Sequence, residues 1–187
     1  MKSVLKTKAT EIGKALQSLG ERIRSGDDSD LFIWVIDGQL ACAHRPLRHH
    51  PEFGGSGQDL PTTATKAVLL WAERICDTGI RSIISLMHPK ELRHYDALDL
   101  GAPDLIEFYR KQGFQVWHIP WDDPAHRPLS ERASFQDELA HVRVEALEAF
   151  DDLPKPVLLH CSAGIDRSAP VAAYILHERS RNREHEA

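Results

Sequence analysis

Nine residues, His160-Cys161-Ser162-Ala163-Gly164-Ile165-Asp166-Arg167-Ser168, constrain this chain more than any other stretch. A short apolar run, Val157-Leu158-Leu159, precedes them, and a small-residue apolar segment, Ala169 to Leu176, follows. The pattern reads as a buried strand, a tight loop and a buried helix. A loop at such a junction turns its backbone N–H groups and the positive end of the helix toward one point, which makes a cradle for an anion. A cysteine at the head of that cradle is expected to ionise readily, because N–H groups, helix dipole and arginine all favour the thiolate. Arg167 adds a planar fork that matches two oxygens of a phosphate. Nucleophile and oxyanion receptor therefore stand together in nine residues.

The rest of the chain fits one domain with a sizeable core and an appendage. Its 187 residues, 42% hydrophobic and 27% charged, are ordinary for a globular protein. A net charge of −5 argues against a general nucleic-acid or anionic-membrane binder. No apolar run reaches membrane-spanning length, and the N-terminal residues lack a signal-peptide core. Three cysteines, Cys42, Cys76 and Cys161, are too few and too scattered for a disulfide framework, so a reducing cytoplasm is the expected home.

Leu5, Ala9, Ile12, Leu16, Leu19 and Ile23 form one apolar stripe, predicting a helix from about Ser3 to Arg24. A turn-rich linker follows, so residues 1–30 read as a helix and linker ahead of a domain over 31–187. Docking on that domain is favoured over a short coiled coil between two copies. Leu31 to Ile36, Asp37-Gly38 and Leu40 to Ala43 read as a hairpin. The prolines and glycines between Arg45 and Pro61 predict an irregular loop. His44, His49 and His50 lack metal-ligand spacing and are expected to be solvated; a place for this loop at a pocket rim stays open.

Thr62 or Thr63 can cap a helix with Ala67, Leu70, Trp71 and Ile75 inward, stopping at Gly79. A strand over Ile80 to Met87 is broken by Pro89. A weak helical stretch then crosses Glu91 to Leu98, and a better helix runs from Pro103 through Gln112. Another strand spans Phe114 to Ile119. Ser130 is expected to cap a long helix carrying Phe135, Leu139, Val142, Ala146, Leu147 and Phe150 inward. Glu178 to Ala187 is charged and expected to fray. Strands alternating with helices predict an α/β fold: a central, mostly parallel sheet flanked by helices on both faces. Ligands of such sheets bind beyond the carboxyl ends of the strands, where Cys161 falls.

The nine residues fit the signature His-Cys, five residues, Arg, Ser or Thr. Through it the chain resembles the protein tyrosine phosphatase superfamily, and its compact dual-specificity-like branch in particular. The large phosphotyrosine-specific members carry a Lys-Asn-Arg-Tyr-like segment that is missing here. The resemblance implies the phosphatase fold and hydrolysis of phosphotyrosine, with phosphoserine and phosphothreonine as further substrates, on a phosphorylated protein partner and with no cofactor or metal.

It makes Cys161 the nucleophile and Arg167 the phosphate clamp, with Ser168 donating to the departing thiolate and His160 orienting the cysteine. Backbone amides of Ser162, Ala163, Gly164, Ile165, Asp166 and Arg167 would hold the phosphate oxygens. The leaving oxygen needs a general acid; Ile119-Pro120-Trp121-Asp122-Asp123-Pro124 stands where the family supplies one, and its pattern selects Asp123, with Asp122 next. Lipid phosphatases of the superfamily carry lysine where Ile165 stands, which weakens the case for phosphoinositides. Asp166 sets a negative charge near a dianion unless it turns away or pairs with a base. Alternatives are a catalytically inactive phosphate-binding module and a sulfurtransferase or arsenate reductase; the position of Cys161 and the lack of a partner motif at Cys42 and Cys76 speak against the reductase.

Overall fold

The computed structural model of the chain describes residues 2–123 and 135–186. The first helix, α1 (Lys2–Arg24), leads into the hairpin of β1 (Phe32–Ile36) and β2 (Leu40–Ala43). Then come α2 (Thr65–Asp77), β3 (Ser82–Ser85), the short α3 (Pro89–Leu92), α4 (Leu105–Lys111) and β4 (Gln115–His118). The chain closes with α5 (Phe135–Asp152), β5 (Val157–His160) and α6 (Ser168–Glu186). The expected α/β architecture is present. The five strands form one sheet in the order β1-β2-β5-β3-β4, and only the β1–β2 pair is antiparallel.

Alternation along the strands divides the core between the two faces. Leu40, Cys42, Ile84, Val157 and Leu159 turn toward α1, α5 and α6. Ala41, Ala43, Ile83 and Leu158 turn toward α2 and α4. Central strand β5 is buried at every position, as its unbroken apolar run requires. Register then sets the site: His160 lies level with Ala43 on one side and Ser85 on the other. The residues that follow β2, β3 and β5 therefore leave the sheet at one edge, side by side.

Helix α1 belongs to this core and packs along α6. Leu5, Ile12, Leu16 and Leu19 of the stripe are buried, so intramolecular docking prevails. Gly20 allows close approach, whereas at Gly13 a side chain would make only ordinary contact. A Cβ on Gly13 would stand 3.7 Å from Ile165, and one on Gly20 would strike the His49 ring at 2.7 Å.

Several boundaries differ from the sequence reading. Neither Thr62 nor Thr63 caps α2; residues 62–64 form a 3₁₀ turn that runs straight into it with no side-chain cap. The buried side of α2 is Val68, Trp71, Ala72 and Ile75, while Leu70 is 49% exposed. Helix α4 begins at Leu105, because the Asp104 side chain accepts the Glu107 N–H and so caps it there. The stretch from Glu91 to Leu98 holds only α3 and a 3₁₀ turn over Arg93–Tyr95. Helix α6 continues through the charged segment to Glu186. The expected cap at Ser130 lies outside the described residues. Among those described, no helix is long and apolar enough to cross a membrane.

Leu16 is fully buried at the middle of the α1 contact. Leu16→Ala should lower unfolding free energy by about 3 kcal/mol, the usual cost of such a cavity. Urea denaturation reads this directly; a loss below about 1 kcal/mol would mean that α1 is not part of the cooperative core.

Candidate active site

The loop from Cys161 to Arg167 joins the end of β5 to the first turn of α6, as the apolar–loop–apolar pattern dictates. It curls back on its own cysteine. The Gly164 N–H donates to Cys161 Sγ at 3.1 Å, and the Ala169 N–H donates to the Gly164 carbonyl. Gly164 has φ +78°, where a Cβ would be strained and would also stand 3.1 Å from the Ala43 carbonyl. Cys161 is 2% exposed and Gly164 is buried, while Ile165 and Asp166 face outward. Asp166 lines a surface hollow with Lys6 and Lys14 of α1, so its side chain turns to the surface.

Arg167 is fully buried, and its guanidinium is held from three elements. Nη1 donates to Glu91 Oε2 at 2.6 Å, to the Leu86 carbonyl at 3.1 Å and to the Trp121 carbonyl at 2.8 Å. Nη2 donates to Glu91 Oε1 at 2.5 Å, completing a two-pronged pair. Burial works against the guanidinium charge. Glu91, Cys161 and Asp123 more than offset it, and the arginine is held above its ordinary value. Burial likewise pushes Glu91 up, but the Arg167 hydrogen bonds and charge outweigh it and keep the carboxyl below its usual range. Nε of Arg167 and Oγ of Ser168 are buried and carry no hydrogen bond among the described residues. Of the guanidinium nitrogens, Nε alone thus lacks an acceptor among the described residues.

Glu91 escaped the sequence reading. Pro89 at the first position of α3 marked the turn, and the capping box there orients the carboxylate: the His88 side chain accepts from Lys90 N–H, and Glu91 Oε2 accepts the His88 N–H at 2.8 Å. The helix too short to register as one is what carries the counter-charge. A proline followed by an acid just past a strand end was the available signal.

Asp123 Oδ2 stands 3.6 Å from Arg167 Nη2, on the same guanidinium. Asp122 instead accepts the Asp123 N–H at 3.0 Å. Trp121 anchors the segment: it is buried, stacks on Phe135 at 5.3 Å, and donates its indole N–H to Glu138 Oε2 at 3.1 Å. The structure therefore brings Cys161, Arg167, Ser168 and Asp123 together from β5, α6 and the segment after β4.

His160 is wholly buried against Tyr109, and its Nδ1 lies 3.1 Å from the Cys161 carbonyl. Burial pushes its pKa down to about 4, so the neutral ring donates from Nδ1 and fixes the backbone at the cysteine. His44 corrects the expectation of solvated histidines. It is buried, with Nδ1 2.8 Å from the Ala163 carbonyl and Nε2 2.9 Å from the Leu16 carbonyl of α1. Burial pushes it down to about 4 as well; a neutral imidazole carries one N–H, so only one of the two carbonyls receives a proton. His44 and Arg45, whose N–H donates to the Ser162 carbonyl at 3.0 Å, fasten the loop after β2 to the cysteine loop. The loop after β2 does lie beside the site, and among the described residues no group of three metal-binding side chains forms.

Removing one member of a buried ion pair leaves the other charge uncompensated, at a cost of roughly 3–5 kcal/mol. Glu91→Ala should therefore cost about 3 kcal/mol in urea denaturation, while Glu91→Gln, which still accepts from Arg167, should cost less. Equal losses would mean that the charge of Glu91 alone, and not the hydrogen bond that glutamine keeps, supports Arg167. His44 and His160 predict a pH effect. Their unfolded forms protonate below about 6.5 while the buried rings stay neutral to about 4, so stability is full above pH 6.5 and falls with acidification. At pH 5 the loss should be about 2 kcal/mol per ring, and His44→Gln should remove one share.

No family model matches the chain, no curated protein matches it, and no solved structure matches it.

Proposed function

We propose that the chain is a cysteine-dependent phosphatase of the protein tyrosine phosphatase kind, with the fold of that superfamily. Its substrates are phosphate monoesters, phosphotyrosine in protein first among them and phosphoserine and phosphothreonine beyond it. One observation carries this reading: a sulfur that accepts a loop N–H lies beside a buried arginine whose Nε edge is free to donate. A salt-bridged structural arginine would not need a cysteine loop wrapped under a helix N-terminus, nor a second carboxylate at 3.6 Å.

The reaction runs in two steps. The Cys161 thiolate attacks phosphorus, the bond from phosphorus to the leaving oxygen breaks, and Asp123 gives its proton to that oxygen. Water then attacks the phosphocysteine, Asp123 takes the water's proton, and the sulfur leaves as thiolate. Ser168 Oγ, buried and without a hydrogen bond among the described residues, donates to that thiolate. Arg167 and the loop amides stabilise the charge on the equatorial oxygens, so catalysis is mostly positioning and electrostatics. Glu91 holds the fork in its plane and leaves Nε for substrate.

Nitrophenyl phosphate tests the reading. The wild-type chain should hydrolyse it, vanadate should block the reaction, and Cys161→Ser should abolish turnover while leaving binding. Arg167→Lys should lose most activity, since an ammonium cannot replace the fork. Asp123→Asn should slow phenyl phosphate, a poor leaving group, far more than nitrophenyl phosphate. Absence of wild-type turnover with phosphate esters still bound would leave a recognition module instead.

A further inference from the structure

The loop after β2 opens on its far side into a cavity of about 230 Å³ that the proposed reaction does not use. Leu31, Leu47 and Trp71 give it apolar walls. Its cations differ in how they are occupied. Arg74 pairs with Asp28 at 2.7 Å, the carboxylate that also lines the cavity. Arg45 donates to the Tyr95 hydroxyl at 3.1 Å and to the Gly55 carbonyl at 3.0 Å. Arg48 has no carboxylate within ion-pair distance among the described residues, and its Nε, like that of Arg45, is buried with no hydrogen-bond partner there. A half-buried cation in this state is costly unless an anion joins it.

We propose that this cavity is a binding site for a small amphiphilic anion, a carboxylate or phosphate on a short apolar body, with Arg48 as the anchor of its charge. The apolar walls take the body, and the guanidinium fork takes two oxygens of the head group.

The surroundings favour an anion over a further cation. The His49 ring lines the cavity, meets the His44 ring at 4.3 Å, and its Nδ1 accepts from Arg24 at 2.7 Å. Burial first, then the neighbouring His44 ring and the charges of Arg48, Arg24 and Arg45, push His49 down to about 3, so it stays neutral. Arg48 is itself lowered, by burial and then by Arg45 and Arg24, with Cys161 and Asp123 pulling the other way. The chain as a whole is acidic, so this is a local positive field set against the general one. The same loop touches Ser162 and Ala163, which places an occupant one layer behind the cysteine loop.

Calorimetric titration of the full chain with hexanoate and with hexanamide, its uncharged counterpart, tests the site. Hexanoate should bind saturably and at least about tenfold more tightly than hexanamide, in line with a charge-assisted pair. Arg48→Gln should erase the difference. Leu70→Trp, at an exposed position of α2 that lines the cavity, should fill it and abolish binding of both without touching the core. Cys161→Ser should keep binding saturable and the preference for the acid, because the thiol does not line the cavity. Equal binding of acid and amide by the wild type, a preference that survives Arg48→Gln, or loss of binding in Cys161→Ser would each overturn the proposal. None of these results depends on whether phosphate esters are hydrolysed.

Discussion

One buried positive charge organises this molecule. Arg167 lies under the surface at the first turn of α6, and a guanidinium in that position is tolerable only when its donors are met and its charge is answered. Glu91 answers it with two oxygens, and the carbonyls of Leu86 and Trp121 take further donors. Those partners come from the end of β3, from α3 and from the segment after β4. The arginine therefore ties three strand ends together where the parallel sheet releases its chain, the position from which such sheets engage ligands. Its Nε has no hydrogen-bond partner among the described residues, Nη2 also faces Asp123 at 3.6 Å, and the thiol lies six positions earlier on the same loop.

The helices on the other side of the loop stabilise its shape. Leu16 of α1 packs close to Gly164, and its carbonyl meets the His44 ring, which in turn reaches the Ala163 carbonyl. A stripe that looks like an appendage in sequence is thus continuous with the floor of the site. The same connection fastens the start of the loop after β2: the side chains of His44 and Arg45 reach backbone carbonyls, one of them in the cysteine loop.

Much of this was legible in the sequence because it is local. The Val157-Leu158-Leu159 run, the loop and the small-residue helix fixed a strand–loop–helix unit, and period-four and period-three spacing fixed α1. Asp37-Gly38 fixed the hairpin. What stayed hidden depends on contacts distant in the chain. Glu91 is 76 residues from Arg167, and although Pro89 marks a turn there, only the fold brings its carboxylate to the guanidinium. His44 reads as a loop histidine until the cysteine loop, 119 residues away, is laid beside it. Leu70 was misassigned to the core because two apolar neighbours, Leu69 and Leu70, blur the phase of α2; Val68 and Ala72 decide it instead. Between Asp122 and Asp123 spacing alone was a weak guide, and the approach of Asp123 to Arg167 is a tertiary fact.

The central claim is that Cys161, the loop amides and the open edge of Arg167 form a receptor for a tetrahedral oxyanion. A crystal structure with vanadate bound tests this most directly. The account predicts vanadium bonded to Cys161 Sγ, with oxygens accepting from Arg167 Nε and from the loop N–H groups, and the Glu91 pair unbroken. Vanadate bound away from the sulfur, or a thiol that stays sealed while the anion is excluded, would contradict it.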